Sequence, residues 1–81
     1  MADAGMQAIV IDIIRRTFGA PDAEVSRETE AADIDGWDSL SHATLMIMIE
    51  RKFHIDITED ESNDLQNVGD LFDLIERKVA H

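Results

Sequence analysis

Two runs of apolar residues with helical spacing, separated by a long acidic segment, constrain the fold of this 81-residue chain most strongly. Apolar side chains recur every three or four positions over residues 3–18 and again over residues 39–53. Gly19 and Pro21 are typical of a helix end. The pattern therefore predicts two helices joined by a connection over residues 20–38. Connections of this length are uncommon in compact domains and are often functional.

Each predicted helix carries a stripe of apolar residues that we expect to face the core. In the first helix the stripe consists of Met6, Ile9, Val10, Ile13 and Ile14, with Ile11 outside it. In the second helix it consists of Leu45, Met46, Ile49 and Phe53. Within the acidic connection, Val25 and Ile34 are the apolar residues that we expect to anchor it to this core.

Two further helices are predicted in the last third of the chain. After a short strand-like segment at residues 55–57, Thr58 and Glu61 have the spacing of a capping box that opens a short helix ending near Leu65. Asn67 then caps a fourth helix, with Asp70 at its third position. The apolar face of this fourth helix consists of Val68, Leu71, Phe72, Ile75 and Val79. The prediction is a single all-α domain over residues 1–81, a four-helix bundle with a short third helix and a long first loop.

The composition excludes several classes of partner. A net charge of −11 disfavours binding to nucleic acid and to anionic membranes, and it favours basic protein partners. The chain has no cysteine, hence no disulfide and no thiolate metal site, and it shows no signal segment or run of membrane-spanning length. We expect a cytoplasmic monomer.

Metal binding and catalysis are not indicated. The segment Asp33-x-Asp35-Gly36 resembles a calcium loop, but aligning its glycine places Ala31 and His42 at ligand positions, so the match fails. The histidines lack metal-site spacing, and His42 is expected to be a partly buried, hydrogen-bonded residue. With no phosphate loop or nucleophile elbow in the sequence, we do not expect a self-contained enzyme.

The start of the second helix is the strongest candidate for a modification site. Asp38 is placed to act as the N-cap, and Ser39 follows in the first turn. The unpaired backbone N–H groups and the helix dipole there would favour a phosphate on the Ser39 hydroxyl. An ordinary cap followed by a polar residue has the same pattern.

The second helix also has a second apolar stripe, roughly opposite the core stripe. It consists of Leu40, Ala43 and Ile47, and it is rimmed by Thr44, Glu50 and Arg51. One small bundle cannot easily bury both stripes. The second stripe is therefore either a docking surface for a partner or a surface covered by a loop, and the sequence leaves both readings open.

With these residues in place, the chain resembles the acyl carrier protein family. The resemblance rests on Gly36-Trp37-Asp38-Ser39-Leu40, which follows a long acidic loop and precedes Leu45, Ile49 and Phe53. It continues through Ile55-Asp56-Ile57 and Val68-Gly69-Asp70-Leu71, and so covers essentially the whole chain.

The resemblance implies a function and its site. In such carriers the serine matching Ser39 receives 4′-phosphopantetheine from coenzyme A by the action of a phosphopantetheinyl transferase, and the thiol of this arm holds an acyl or aminoacyl group as a thioester. Asp38 matches an acidic residue that helps engage the transferase and its magnesium. The family's partner-recognition face matches Leu40, Ala43, Thr44, Ile47 and Arg51. The carrier itself catalyses nothing.

Two departures from the family pattern suggest a specialised carrier with a dedicated loading enzyme. Arg51 and Lys52 stand where carriers of fatty-acid synthesis have an acidic second helix, and Trp37 is more typical of peptidyl-type carriers. Fatty acyl, polyketide and aminoacyl cargo all remain open. The alternative from a different class is an acidic helical adaptor without a prosthetic group.

Overall fold

The computed structural model describes residues 4–79, and within that range it contains helices and no strand. The helices are α1 (Ala4–Thr17), α2 (Ser39–Phe53), α3 (Glu59–Asn63) and α4 (Val68–Val79). The predicted all-α bundle, with its short third helix and long first loop, is confirmed. The predicted bounds differ mainly at α3, which ends before Leu65, and residues 55–57 form an irregular link and not a strand.

One apolar core joins α1, α2, α4 and the long loop. Its fully buried members include Val10, Ile14, Leu45, Ile49, Phe72 and Ile75. The predicted core stripe of α2 is correct, with Phe53 only partly buried. Burial of these side chains, at about 25 cal/mol per Å² of apolar surface, is the main force that holds the helices together.

The predicted core stripes of α1 and α4 are partly wrong. Ile9 is 38% exposed and Ile11 packs against the core, because α1 meets the bundle on the side of Ile14. Val79 is 50% exposed because it lies in the last turn of α4. Leu74, which the predicted stripe omits, is buried on the side of α4 where Lys78 binds Glu61 of α3.

The long loop is tightly attached to the bundle. Ile34 is buried and Val25 packs on the core, as predicted. The loop also contains a short 3₁₀ turn at Ala31–Asp33 and a buried Thr29, neither of which was predicted. The Thr29 hydroxyl accepts a hydrogen bond from the Ser26 N–H (2.9 Å), so this buried polar group is paired.

The start of α3 is fixed by the predicted capping box. The Glu61 N–H donates to the Thr58 hydroxyl (3.1 Å), and the Thr58 N–H donates to the Glu61 carboxylate (2.9 Å). Lys78 of α4 contacts the same carboxylate at 2.9 Å. The Thr58 N–H, followed by Lys78, lowers the pKa of Glu61 to about 2.

These contacts predict a pH-dependent contribution of Glu61 to stability. Because the pKa of Glu61 is lower in the folded chain than its ordinary value of 4.5, the unfolded chain binds its proton more readily. The contribution is therefore complete above pH 4.5 and is lost as the pH falls to about 2. Thermal unfolding of the wild type and of Glu61→Gln should show a gap in Tm at neutral pH that closes across this window. A gap that does not change with pH would contradict the role of the charge.

Candidate functional site

The turn before α2 sets the direction of the helix start. Gly36 has a φ of 87°, a left-handed conformation that favours glycine, and the Asp38 N–H donates to the Gly36 carbonyl (3.1 Å). Asp38 is the N-cap, as predicted, and its Oδ1 accepts from the Ser41 N–H at 2.9 Å. This N–H, followed by the Ser41 hydroxyl, lowers the pKa of Asp38. Asp38 therefore carries its full negative charge at neutral pH.

Ser39 is the first residue of α2 and is exposed. Its hydroxyl makes none of the hydrogen bonds described for residues 4–79. Ser41, two positions later, is half-buried and is bound to Asp38 through its N–H. Of the two serines in this turn, Ser39 is the one whose hydroxyl is free for reaction with another molecule.

A cleft of about 420 Å³ opens beside Ser39 between α2, α3 and the start of α4. Its lining residues from α2 and the preceding turn include Trp37, Asp38, Ser39, His42 and Met46. On the opposite side it is lined by Ser62, Asn63, Leu65, Val68 and Leu71. Because Met46, Val68 and Leu71 are buried core residues, the cleft has an apolar inner surface below polar groups near Ser39. We call it the Ser39 cleft.

His42 is partly buried and hydrogen-bonded, as predicted. Trp37 Nε1 donates to His42 Nδ1 at 3.0 Å. Indole Nε1 is a donor only, so the neutral ring carries its proton on Nε2, which donates to the Ser62 carbonyl at 3.1 Å. Trp37 also stacks on Phe18, with ring centroids 5.0 Å apart. No carboxylate orients the ring among these described contacts, and the arrangement does not make His42 a base for Ser39.

The second stripe of α2 is not covered by a loop. Leu40 is 79% exposed and Ile47 is 49% exposed, and the same side of the helix exposes Ala43, Thr44 and Arg51. We call these five residues the α2 face. Glu50, predicted to lie at its rim, is directed elsewhere, because its carboxylate accepts from the Ile57 N–H at 2.9 Å. The α2 face therefore lacks an acidic residue, and Arg51 supplies its one charge.

The remaining expectations concern metal sites, membrane-spanning helices and the histidines other than His42. Among residues 4–79 no group of three or more histidine, cysteine or acidic side chains is arranged to hold a metal ion. No helix within the described range is long and apolar enough to cross a membrane. His54 ends α2 in a left-handed conformation (φ 57°), and His81 lies outside the described residues.

Sequence reasoning missed the α3 side of the site. The pattern predicted α3 and its cap but gave no sign that the Ser62 carbonyl binds His42. Every residue has a main-chain carbonyl, so the residue types in a sequence do not show which carbonyl accepts a hydrogen bond. The spacing of Trp37 and His42, both able to form hydrogen bonds, was the available clue.

Comparison with known proteins gives a consistent family assignment. The family model described as the phosphopantetheine attachment site matches residues 8–75. An acyl carrier protein of Porphyromonas gingivalis is 33% identical over 70 residues, which cover 86% of this chain and 90% of that protein. An acyl carrier protein of Amoebophilus asiaticus is 35% identical over 71 residues, covering 88% and 89% of the two chains.

The fold gives the same result. The solution NMR structure of holo acyl carrier protein from Geobacter metallireducens superposes with a TM-score of 0.85 and 40% sequence identity, covering 91% of this chain and 85% of that one. Fold and family match together define the class as a phosphopantetheine-dependent carrier. The chain belongs to the acyl carrier protein family, so it acts as a carrier and not as an enzyme. The adaptor alternative is set aside.

The described residues fit the cofactor of this family, 4′-phosphopantetheine. The Ser39 hydroxyl is exposed at a helix N-terminus, where the helix dipole is positive and favours a phosphate. The Ser39 cleft begins at the same residue. The cofactor supplies a thiol, which this cysteine-free chain lacks, for thioester formation.

The cap predicts that charge and capping at residue 38 can be separated. Asparagine caps helices about as well as aspartate, whereas alanine does not. Asp38→Asn should therefore keep the Tm and the helical circular dichroism of the wild type, and Asp38→Ala should lower the Tm. If both variants lose the same stability, the contribution of Asp38 is its charge and not its capping geometry.

Proposed function

We propose that 4′-phosphopantetheine is attached to Ser39 by a phosphopantetheinyl transferase. The observation that carries the proposal is the free, exposed hydroxyl of Ser39 at the capped start of α2. Ser41 is a poorer acceptor because it is half-buried and tied to Asp38. Asp38 stays ionised beside the reacting hydroxyl, which supports its proposed role in engaging the transferase.

The α2 face is the surface we propose for partner enzymes. Leu40 and Ile47 expose apolar side chains that the core does not use, and Leu40 directly follows the attachment residue. A partner that contacts Leu40 approaches the same end of α2 as the arm. Membership of the family implies a phosphopantetheinyl transferase and acyl-processing enzymes as partners.

The proposed cargo is an acyl or aminoacyl thioester, delivered by a dedicated loading enzyme. Arg51 supports the idea of a dedicated enzyme, since the charge on the α2 face is positive in a chain of net charge −11. A monomeric, cytoplasmic protein of one domain remains the prediction from the sequence.

The attachment is tested by intact mass. The wild type is incubated with coenzyme A, magnesium and a promiscuous phosphopantetheinyl transferase, beside Ser39→Ala and Ser41→Ala. We expect the mass of one phosphopantetheinyl group on the wild type and on Ser41→Ala, and none on Ser39→Ala. The free energy of unfolding of Ser39→Ala should lie within about 1 kcal/mol of that of the wild type, because Ser39 makes no capping bond.

Two results would reject this site. One is a mass gain on folded Ser39→Ala, and the other is its loss on Ser41→Ala alone. Circular dichroism of each variant shows whether a missing mass gain reflects the lost hydroxyl or a lost fold.

The α2 face is tested by removing an exposed side chain that the core does not need. Leu40→Ala should lower kcat/KM of the transferase several-fold, mainly through KM, and change the free energy of unfolding by about 0.5 kcal/mol or less. Ile9→Ala is the matched control, since Ile9 is exposed on α1 and lies outside the α2 face. Arg51→Glu should slow loading by the cognate enzyme. Equal kinetics of Leu40→Ala and Ile9→Ala, or unchanged loading of Arg51→Glu, would count against this surface.

A further inference from the structure

A chain of side-chain contacts connects the turn before α2 to α3. Phe18 stacks on Trp37 with ring centroids 5.0 Å apart, and Trp37 stacks on His42 at 6.1 Å. Trp37 Nε1 donates to His42 Nδ1 (3.0 Å), and His42 Nε2 donates to the Ser62 carbonyl (3.1 Å). Both ring nitrogens of His42 are thus used, in one tautomer.

This chain of contacts crosses the Ser39 cleft. His42 belongs to α2 and Ser62 to α3, and both residues line the cleft. The hydrogen bond between them joins its two sides. The cleft therefore cannot widen between α2 and α3 until this bond breaks.

Within α3 itself few other contacts reach the bundle, while Ile57 before it and Leu65 after it pack against the core. The helix has only five residues, none of them buried, and a helix of that length is unstable by itself. Its capping box is internal, and Lys78 contacts only its Glu61. Among the described hydrogen bonds, the one from His42 joins α2 to α3 itself, and the one from the Ile57 N–H to Glu50 holds the residues just before α3 to α2.

We propose that His42 is a positioning residue that latches α3 to α2 across the Ser39 cleft and thereby disfavours long apolar cargo. Met46, Val68 and Leu71 form the apolar inner surface of the cleft, which is reached more easily when α3 moves away. The consequence for cargo rests on the proposed attachment at Ser39, whereas the latch itself is a property of the chain without any cofactor. A histidine that served only the core would affect stability but would not affect the choice of cargo.

Hydrogen exchange of the apo chain tests the latch. In His42→Leu, the amides of Ser62 in α3 and of Asp64, its C-cap, should exchange on the order of tenfold faster than in the wild type, because two hydrogen bonds are lost. His42→Gln keeps one donor and one acceptor and should restore part of the protection.

His54→Asn is the matched control. This substitution removes the imidazole of His54 at the C-terminal end of α2, and asparagine tolerates the left-handed conformation at that position. Its α3 amides should exchange as in the wild type. Unchanged α3 exchange in His42→Leu, or equal acceleration in His54→Asn, would overturn the latch. If His42→Leu does not fold, the test is made with Trp37→Phe, which removes the indole N–H while keeping an aromatic ring in the stack and should also accelerate α3 exchange.

Cargo choice is tested on protein loaded through the arm. Wild type and His42→Leu carry either an acetyl or a decanoyl group, and the Tm of each form is measured. We expect the gain in Tm from acetyl to decanoyl to be larger in His42→Leu, because its cleft opens more easily. Equal gains would overturn the selectivity. Failure of loading at Ser39 would overturn the selectivity together with the proposed function, and the apo exchange result would still decide the latch.

Discussion

Two amides at the start of α4 hold the long loop, and the position of Ser39 depends on that loop. The Val68 N–H donates to the Thr29 carbonyl and the Gly69 N–H to the Arg27 carbonyl, both at 2.8 Å. The first N–H groups of a helix have no partner within it, so the loop satisfies two donors that would otherwise be unpaired. A Cβ at Gly69 would lie 3.0 Å from the Arg27 carbonyl oxygen, so glycine allows this close approach.

Beyond this attachment, further contacts fix the path of the loop as far as Ser39. Arg27 also binds Asp73 of α4 at 2.9 Å, Ile34 is buried in the core, and Trp37 stacks on Phe18. Asp38 then caps α2, which places Ser39 at the exposed end of the helix with its hydroxyl free. The acidic loop is therefore a structural support for the site. Its negative charge has the sign that would attract a basic partner at long range.

The sequence predicted most of the fold because the local signals were strong. Helical periodicity, Gly19, the capping box of Thr58 and Glu61, and the cap at Asp38 gave helix positions close to those observed. The errors arose where burial depends on a neighbouring element. The periodicity of α1 does not indicate which edge of the stripe meets the bundle, so Ile9 was predicted to be buried.

The candidate site was predictable in part for the same reason. Asp38 and Ser39 are adjacent in sequence, and their cap geometry is local. The Ser39 cleft and the bond from His42 to Ser62 join residues 20 positions apart through a main-chain carbonyl. No residue pattern encodes such a contact. The exposure of Leu40 and Ile47 also depended on whether a loop covered them, which only the structure could decide.

The most direct test of the account is to locate the phosphopantetheinyl group on the wild-type chain by fragment-ion mass spectrometry. After loading, trypsin releases the peptide spanning residues 28–51, which contains Ser39, Ser41 and two threonines. The account predicts that the added mass begins at the fragment ions that first include Ser39. Added mass confined to fragments beyond Ser39 would contradict the claim that the loop and the Asp38 cap present this hydroxyl for modification.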